Sequence, residues 1–342
     1  MRLDSVRELK SELLSVPRAV VEAVRSSTVL AAFSARSGAA DRTMEDIALG
    51  VTSPDNKQFR LAVRLQREGP LIRLLTERIR DKAKGEVDVQ YVGSIVKYAG
   101  PSETSATFYQ RKRRPLRIGS SISDVQTGFI SAGTLGCFVV RRQAPHCLGV
   151  LTNNHVIANE NGNAIGDPVV QQGTLDGGRS STGLVGELGT FQQLKSRGAN
   201  FVDAAVGDLY EGIDFDPRRI GNRGNLAGQV SVFELPPKAT VYKVGRTTGQ
   251  TKGRITAFDV DNVRVQYDAG VMRFDNQIEI EGTGNSAFSD SGDSGSLIVD
   301  ARRRAVALLF AGGDVGGSNG KGLTFANPIQ TVLDTLKVDL EQ

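Results

Sequence analysis

The sequence predicts a mainly β chain preceded by a small α+β unit, and three observations lead there. Its 342 residues exceed one ordinary domain. Beyond residue 117, short runs rich in strand formers recur between Gly, Asn and Asp, the pattern of antiparallel barrels or sandwiches. Charge divides at the same place: residues 1–117 carry 22 Lys and Arg against 14 Asp and Glu, net +8, and the remainder carries 20 against 24, net −4. Two bodies of opposite sign are expected to be separate and to attract one another.

Val6, Leu9, Leu13, Val20, Val21 and Val24 recur at helical spacing, so one amphipathic helix over residues 5–26, or two divided at Pro17, opens the chain. A Ser/Ala/Gly-rich stretch from Ser26 to Ala40 reads as a loop. IALGVT and FRLAVRL are dense in strand formers, residues 69–84 are helical in pattern, and VDVQYVGSIVKY from Val87 to Tyr98 resumes alternation. The order helix, strand, strand, helix, strand makes residues 1–100 a small α+β domain. Residues 101–117, with RKRRP and little apolar material, read as a basic linker. Strand-like runs then follow from GTLGCFVV to GLTFA. NPIQTVLDTLKV closes the chain as a helix with Ile329, Val332, Leu333 and Leu336 on one stripe.

Composition narrows the function classes. With 39% hydrophobic and 23% charged residues the chain is an ordinary globular one, and no run approaches eighteen apolar residues. MRLDSVRELKSELL lacks an apolar signal core, so a cytoplasmic, non-membrane protein is expected. A pI near 9.1 raises nucleic-acid binding, but the cations are interspersed with carboxylates and no nucleic-acid motif is present, which disfavours it. Two cysteines, Cys137 and Cys147, cannot support a disulfide scaffold. The hairpin they flank sets Cys137 opposite a residue near Thr152, so both are expected as free, buried thiols. GGSNGKG and GTGNSA lack the offsets of phosphate-binding loops. With two histidines and no ligand spacing, neither a metal nor a cofactor is expected.

One histidine has companions. His155 follows a strand in GVLTNNHVIA, Asp203 lies 48 residues later in FVDAAVGDL, and Ser294 a further 91 residues on in SGDSGSLIV. A serine hydroxyl is a weak nucleophile that requires a base, imidazole can take and return its proton, and a carboxylate can fix the ring tautomer. Gly292 allows close backbone approach, so the N–H groups of Gly292 and Ser294 can converge on an oxyanion. The remaining histidine, His146, reads as a turn residue.

LTNNHV, DAAV, GDSGS and GRTTGQTKGRI together resemble the chymotrypsin-like (trypsin-like) serine peptidases of bacterial type, over residues 118–342. The resemblance implies two antiparallel six-stranded β-barrels, residues 118–230 and 231–342, with the site between them and the closing helix in the second. It implies a serine endopeptidase acting on protein or peptide substrates: Ser294 attacks, His155 shuttles the proton and Asp203 orients it. A catalytically silent binding or regulatory module and an esterase or self-cleaving factor are the alternatives. The N-terminal domain is expected either to dock on the peptidase domain or to recruit a partner.

The chain departs from the family pattern in three places. Phe288 stands where tryptic relatives carry an acid, although Asp290 is near. With Ala311, Gly312 and Gly313 along the wall, it points to a pocket for small or medium uncharged side chains. LLFAGG has no Ser to support Asp203. Arg117-Ile118-Gly119 is a weak match to an activation site, at which a freed amino group would pair with Asp293.

Overall fold

The computed structural model describes residues 1–15, 44–55, 58–97, 108–125, 130–143 and 145–341. Helix α1 (Leu3–Ser15) turns Val6 and Leu13 inward; the rest of the expected 5–26 helix and the loop after it lie outside the described residues. Strands β1 (Ile47–Asp55) and β2 (Gln58–Leu65) form an antiparallel pair, with Ile47 opposite Leu65. Helix α2 (Pro70–Lys82) starts on a proline, which suits a position whose N–H has no helical partner, and buries Ile72, Leu75 and Ile79. It carries the chain across to β3 (Val87–Tyr91), parallel to β2. A turn leads into β4 (Ile95–Lys97), where the single alternating run read from the sequence divides in two.

Residues 108–117, read as part of the linker, hold a helical turn at Phe108–Gln110 and strand β5 (Leu116–Arg117). The first barrel then follows: β6 (Ser121–Asp124), β7 (Gly133–Thr134), β8 (Cys137–Arg141), β9 (Leu148–Thr152), the single-turn α3 (Asn154–Ile157) and β10 (Pro168–Val170). The chain continues through α4 (Ser180–Gly183), β11 (Leu184–Phe191), β12 (Ala199–Asn200), which pairs outside this barrel, β13 (Ala205–Leu209) and β14 (Phe215–Asp216), the last paired with β5. The ladder of this barrel runs β8-β9-β13-β11-β10-β6-β7 and stays open between its ends.

The second barrel comprises β15 (Thr240–Gly245), β16 (Gly249–Asp261), β17 (Val263–Tyr267), β18 (Gly270–Phe274), β19 (Gln277–Gly282), β20 (Leu297–Asp300), β21 (Ala305–Gly313) and β22 (Leu323–Pro328). Six of these close a ring, β15-β16-β19-β22-β21-β20 and back to β15, every pair antiparallel. Helix α5 (Ile329–Leu336) buries Ile329, Val332, Leu333 and Leu336, and β23 (Val338–Leu340) returns to pair with β8 of the first barrel. One apolar core spans both barrels, joining Leu135 and Leu151 to Leu297 and Leu308.

The N-terminal strands continue the sheet of the second barrel. β1 pairs with the far end of β16, and β4 lies between β17 and β21. Arg64 of β2 ties the two together: its Nε and Nη2 donate to Glu279 of β19 at 2.6 and 2.9 Å, with neither side chain exposed, and Nη2 also reaches Asp88 at 2.9 Å. Cys137 faces Leu151, one residue from the expected Thr152, and is buried; Cys147 is only half-buried, because it lies in the turn ahead of β9. Among the described residues no helix is long and apolar enough to cross a membrane.

Candidate active site

β9 ends at Thr152, and the chain turns at Asn153 into α3, which carries His155. Asp203 lies just ahead of β13, which pairs with β9, so one ladder holds both residues. His155 Nδ1 stands 2.5 Å from Asp203 Oδ2, with both side chains wholly buried. The Asp203 carboxylate also accepts from the His155 backbone N–H at 3.3 Å and from the Tyr267 hydroxyl at 2.6 Å. Its own backbone N–H donates to Asn327 Oδ1 at 3.0 Å, and its carbonyl accepts from Asn153 Nδ2 at 2.6 Å.

Burial alone would raise the Asp203 carboxyl, but the charge of His155 and the hydrogen bonds from His155 and Tyr267 outweigh it and hold the group below its ordinary value. Burial and the Asp203 charge push the Tyr267 phenol well above its ordinary value, so it stays a donor. A carboxylate at Nδ1 fixes the tautomer that carries its proton there. His155 Nε2, the acceptor in that tautomer, is buried and has no hydrogen-bond partner among the described residues.

Ser294 follows β19 on a turn ahead of β20. At Gly292 φ is +93°, and a Cβ would fall 2.4 Å from Thr247 Oγ1 and 2.6 Å from Arg246 Nη1, so only glycine fits. Thr134 of the first barrel pins this turn by its carbonyls: its Oγ1 donates to Gly292 O at 2.9 Å and its N–H to Ser294 O at 2.7 Å. The N–H groups of Gly292 and Ser294 donate to nothing among the described residues. Two backbone donors left open beside a serine can hold an oxyanion.

The structure joins His155 to Asp203 but does not join Ser294 to His155. The Ser294 hydroxyl, buried, donates instead to the carbonyl of Phe310 on β21 at 3.2 Å. Phe310 leads back to the pair through aromatic contacts: its ring lies 4.7 Å from Phe274, Phe274 stacks on Tyr267 at 5.9 Å, and Tyr267 meets His155 edge-on at 5.9 Å.

Asp293, next to the serine, is engaged within the chain. Lys243 Nζ stands 3.0 Å from its Oδ2 with both side chains unexposed, the Thr247 N–H donates to Oδ1 at 3.0 Å, and the Thr248 hydroxyl donates to Oδ2 at 2.6 Å. Burial pulls the Lys243 ammonium below its ordinary value against the opposing pull of Asp293. Ile118, expected as a candidate new terminus, is itself buried.

Phe288 is 2% exposed and packs with Ile255, Ile280 and Ile298 in the core of the second barrel. Ala311 and Gly312 pair with Lys97 and Val96 of β4, and Gly313 backs onto Ser94. No group of three or more His, Cys, Asp or Glu among the described residues could hold a metal. His146, in its turn, bonds through Nδ1 to Arg141 O at 2.9 Å. Sequence reasoning missed Tyr267 and Asn327. Each acts on Asp203 across more than sixty residues of chain, and nothing local distinguishes either from any other strand residue.

No protein-family model matches the chain, and neither does any curated protein. Solved structures to which it is similar include Thermobifida fusca protease A, at 18% identity and a TM-score of 0.44, covering 66% of this chain and 97% of that one. A Nocardiopsis protease is similar at 17% and 0.46, covering 66% and 99%, and a Cellulomonas bogoriensis chymotrypsin at 17% and 0.44, covering 66% and 98%. At such identities no residue's role is carried across. A closed six-stranded antiparallel barrel, an open one beside it and a core shared between them give this chain a chymotrypsin-like double-barrel fold.

Proposed function

We propose that the chain is a serine endopeptidase that cleaves peptide bonds through an acyl-enzyme intermediate. One observation carries the reading: a buried histidine whose Nδ1 is held by a buried carboxylate and whose Nε2 has no partner among the described residues. In this reading the Ser294 hydroxyl leaves Phe310 O and donates to that nitrogen. His155 then takes the proton as the oxygen attacks a peptide carbonyl, Asp203 stabilises the imidazolium, and the N–H groups of Gly292 and Ser294 hold the oxyanion. The proton passes to the leaving amine, and water repeats the sequence on the acyl ester.

The N-terminal domain, residues 1–100, is retained in the working protein in this reading, docked on the peptidase domain. Its Arg64–Glu279 pair is buried, and Asp293 already has Lys243 where a freed amino terminus would otherwise be wanted. A cytoplasmic setting fits the two unpaired cysteines. Small or medium uncharged side chains before the cut remain the expected preference beside Ala311, Gly312 and Gly313, while Phe288 lies behind them in the barrel core.

The orientation of Ser294 toward Phe310 favours a second reading, a silent module that keeps the barrels without turnover. Peptide and ester substrates assayed side by side separate the two. The peptidase reading expects hydrolysis of both, lost by about 10⁶ in Ser294→Ala. Equal rates in wild type and Ser294→Ala would refute it.

A further inference from the structure

Edge strands bind extended peptides by main-chain pairing. In this chain the edge of β21 beside Phe310 is already taken. Gly312 faces Val96 and Ala311 faces Lys97, antiparallel, so β4 runs toward Phe310, the residue whose carbonyl holds the Ser294 hydroxyl. The other edge of β4 lies parallel to β17, with Val265 facing Ile95 and Gln266 facing Val96, next to Tyr267. The seat is fitted to this strand: a Cβ at Gly313 would fall 2.8 Å from Ser94 O.

The side chain of Lys97 has a built receptor. Glu160, in the loop after α3, bonds to Lys97 Nζ with 7% of its side chain exposed against 13% for the lysine. The same carboxylate is fixed by the backbone N–H groups of Asp268 and Ala269 at 3.1 and 2.9 Å. Asp268, 2.7 Å from Nζ, is 87% exposed, so its side of the pairing is open to solvent while Glu160 is the enclosed partner. Burial would lower the Lys97 ammonium, but its bonds to Asp268 and Glu160 outweigh that and keep it above the ordinary lysine value. Glu160 belongs to the first barrel and β21 to the second, so the lysine ties one barrel to the other.

We propose that this seat, the β21 edge with Glu160, is a binding site for an extended peptide that carries a basic side chain immediately before the residue whose carbonyl Ser294 attacks, and that β4 occupies it in the resting chain. The register sets the position: with Lys97 opposite Ala311, the next residue of a bound peptide falls opposite Phe310. The inference rests on Ser294 being the nucleophile for the meaning of that position, but the binding itself needs no turnover.

The test uses the full chain in the Ser294→Ala background, with and without Lys97→Met, and two fluorescent peptides, acetyl-Ile-Val-Lys-Ala-Ala and its norleucine twin. Fluorescence anisotropy should show the lysine peptide binding about tenfold tighter once Lys97 is replaced, and about tenfold tighter than its twin, a preference that Glu160→Gln removes. Equal binding of both peptides, or affinity indifferent to Lys97→Met, overturns the proposal. A second measurement covers the case in which Lys97→Met does not fold: Glu160→Gln, with Ser294 intact, should react with a fluorophosphonate about tenfold faster than wild type. An unchanged rate counts against the proposal. No labelling in any variant, with the peptide preference intact, would remove the nucleophile and leave the binding site.

Discussion

Asp203 and Asp293 are both wholly buried aspartates, yet they face opposite partners. Asp203 faces an imidazole whose far nitrogen has no partner among the described residues, so in the proposed reading what it does to the ring can be passed on to a substrate. Asp293 faces an ammonium whose other bonds, to Thr248 Oγ1 and the Gly249 carbonyl, stay within the same turn, and Thr247 and Thr248 close the carboxylate in, so its charge is spent on fixing the turn that bears Ser294. Burial and charge alone do not separate Asp203 from Asp293; the unfilled acceptor one group further on does, and the proposed role of Asp203 rests on it.

Substitutions at the two positions should therefore fail differently. Asp203→Asn should cut turnover by about 10⁴ while leaving the fold, since the loss is of tautomer control. Steady-state peptide hydrolysis with a thermal melt checks both halves, and a near-normal rate would break the comparison. Asp293→Asn should strand the buried Lys243 and cost about 3–5 kcal/mol of stability, read from urea midpoints, with activity lost only as the fold is lost. Tyr267→Phe sharpens the contrast, because it removes a neutral donor to a charged acceptor at one aspartate only. Turnover should fall about tenfold at unchanged KM.

The pH dependence gives the smallest effect. Asp203 is depressed in the folded chain, so its contribution to stability is complete above the unfolded carboxyl value of about 3.9 and is lost as pH falls through the lower folded value. Unfolding midpoints of wild type and Asp203→Asn should differ by a constant amount near pH 6 and converge below about pH 4.

Local signals were legible in the sequence. Runs dense in strand formers marked β1, β2 and the barrel strands, a helical pattern over residues 69–84 marked α2, and short flanking patterns marked His155, Asp203 and Ser294. The pairings were not. Nothing in a three-residue run such as Ile95–Lys97 says that it will lie between β17 and β21, because that choice is made by partners more than 150 residues away. Phe288 shows the limit at single-residue level. Counting back from the serine placed it at a pocket base, whereas its position among Ile255, Ile280 and Ile298 follows from how the barrel closes. The support of Asp203 was likewise sought on β21, where relatives carry a serine; the donor is Tyr267 on β17, reached only through the folded sheet.

The most direct measurement is the mapping of a fluorophosphonate adduct by mass spectrometry, on the wild type and on Lys97→Met in parallel. The account predicts one modified residue, Ser294, and no label in Ser294→Ala. An adduct on Ser291 or Ser296, or none in either protein, would contradict it.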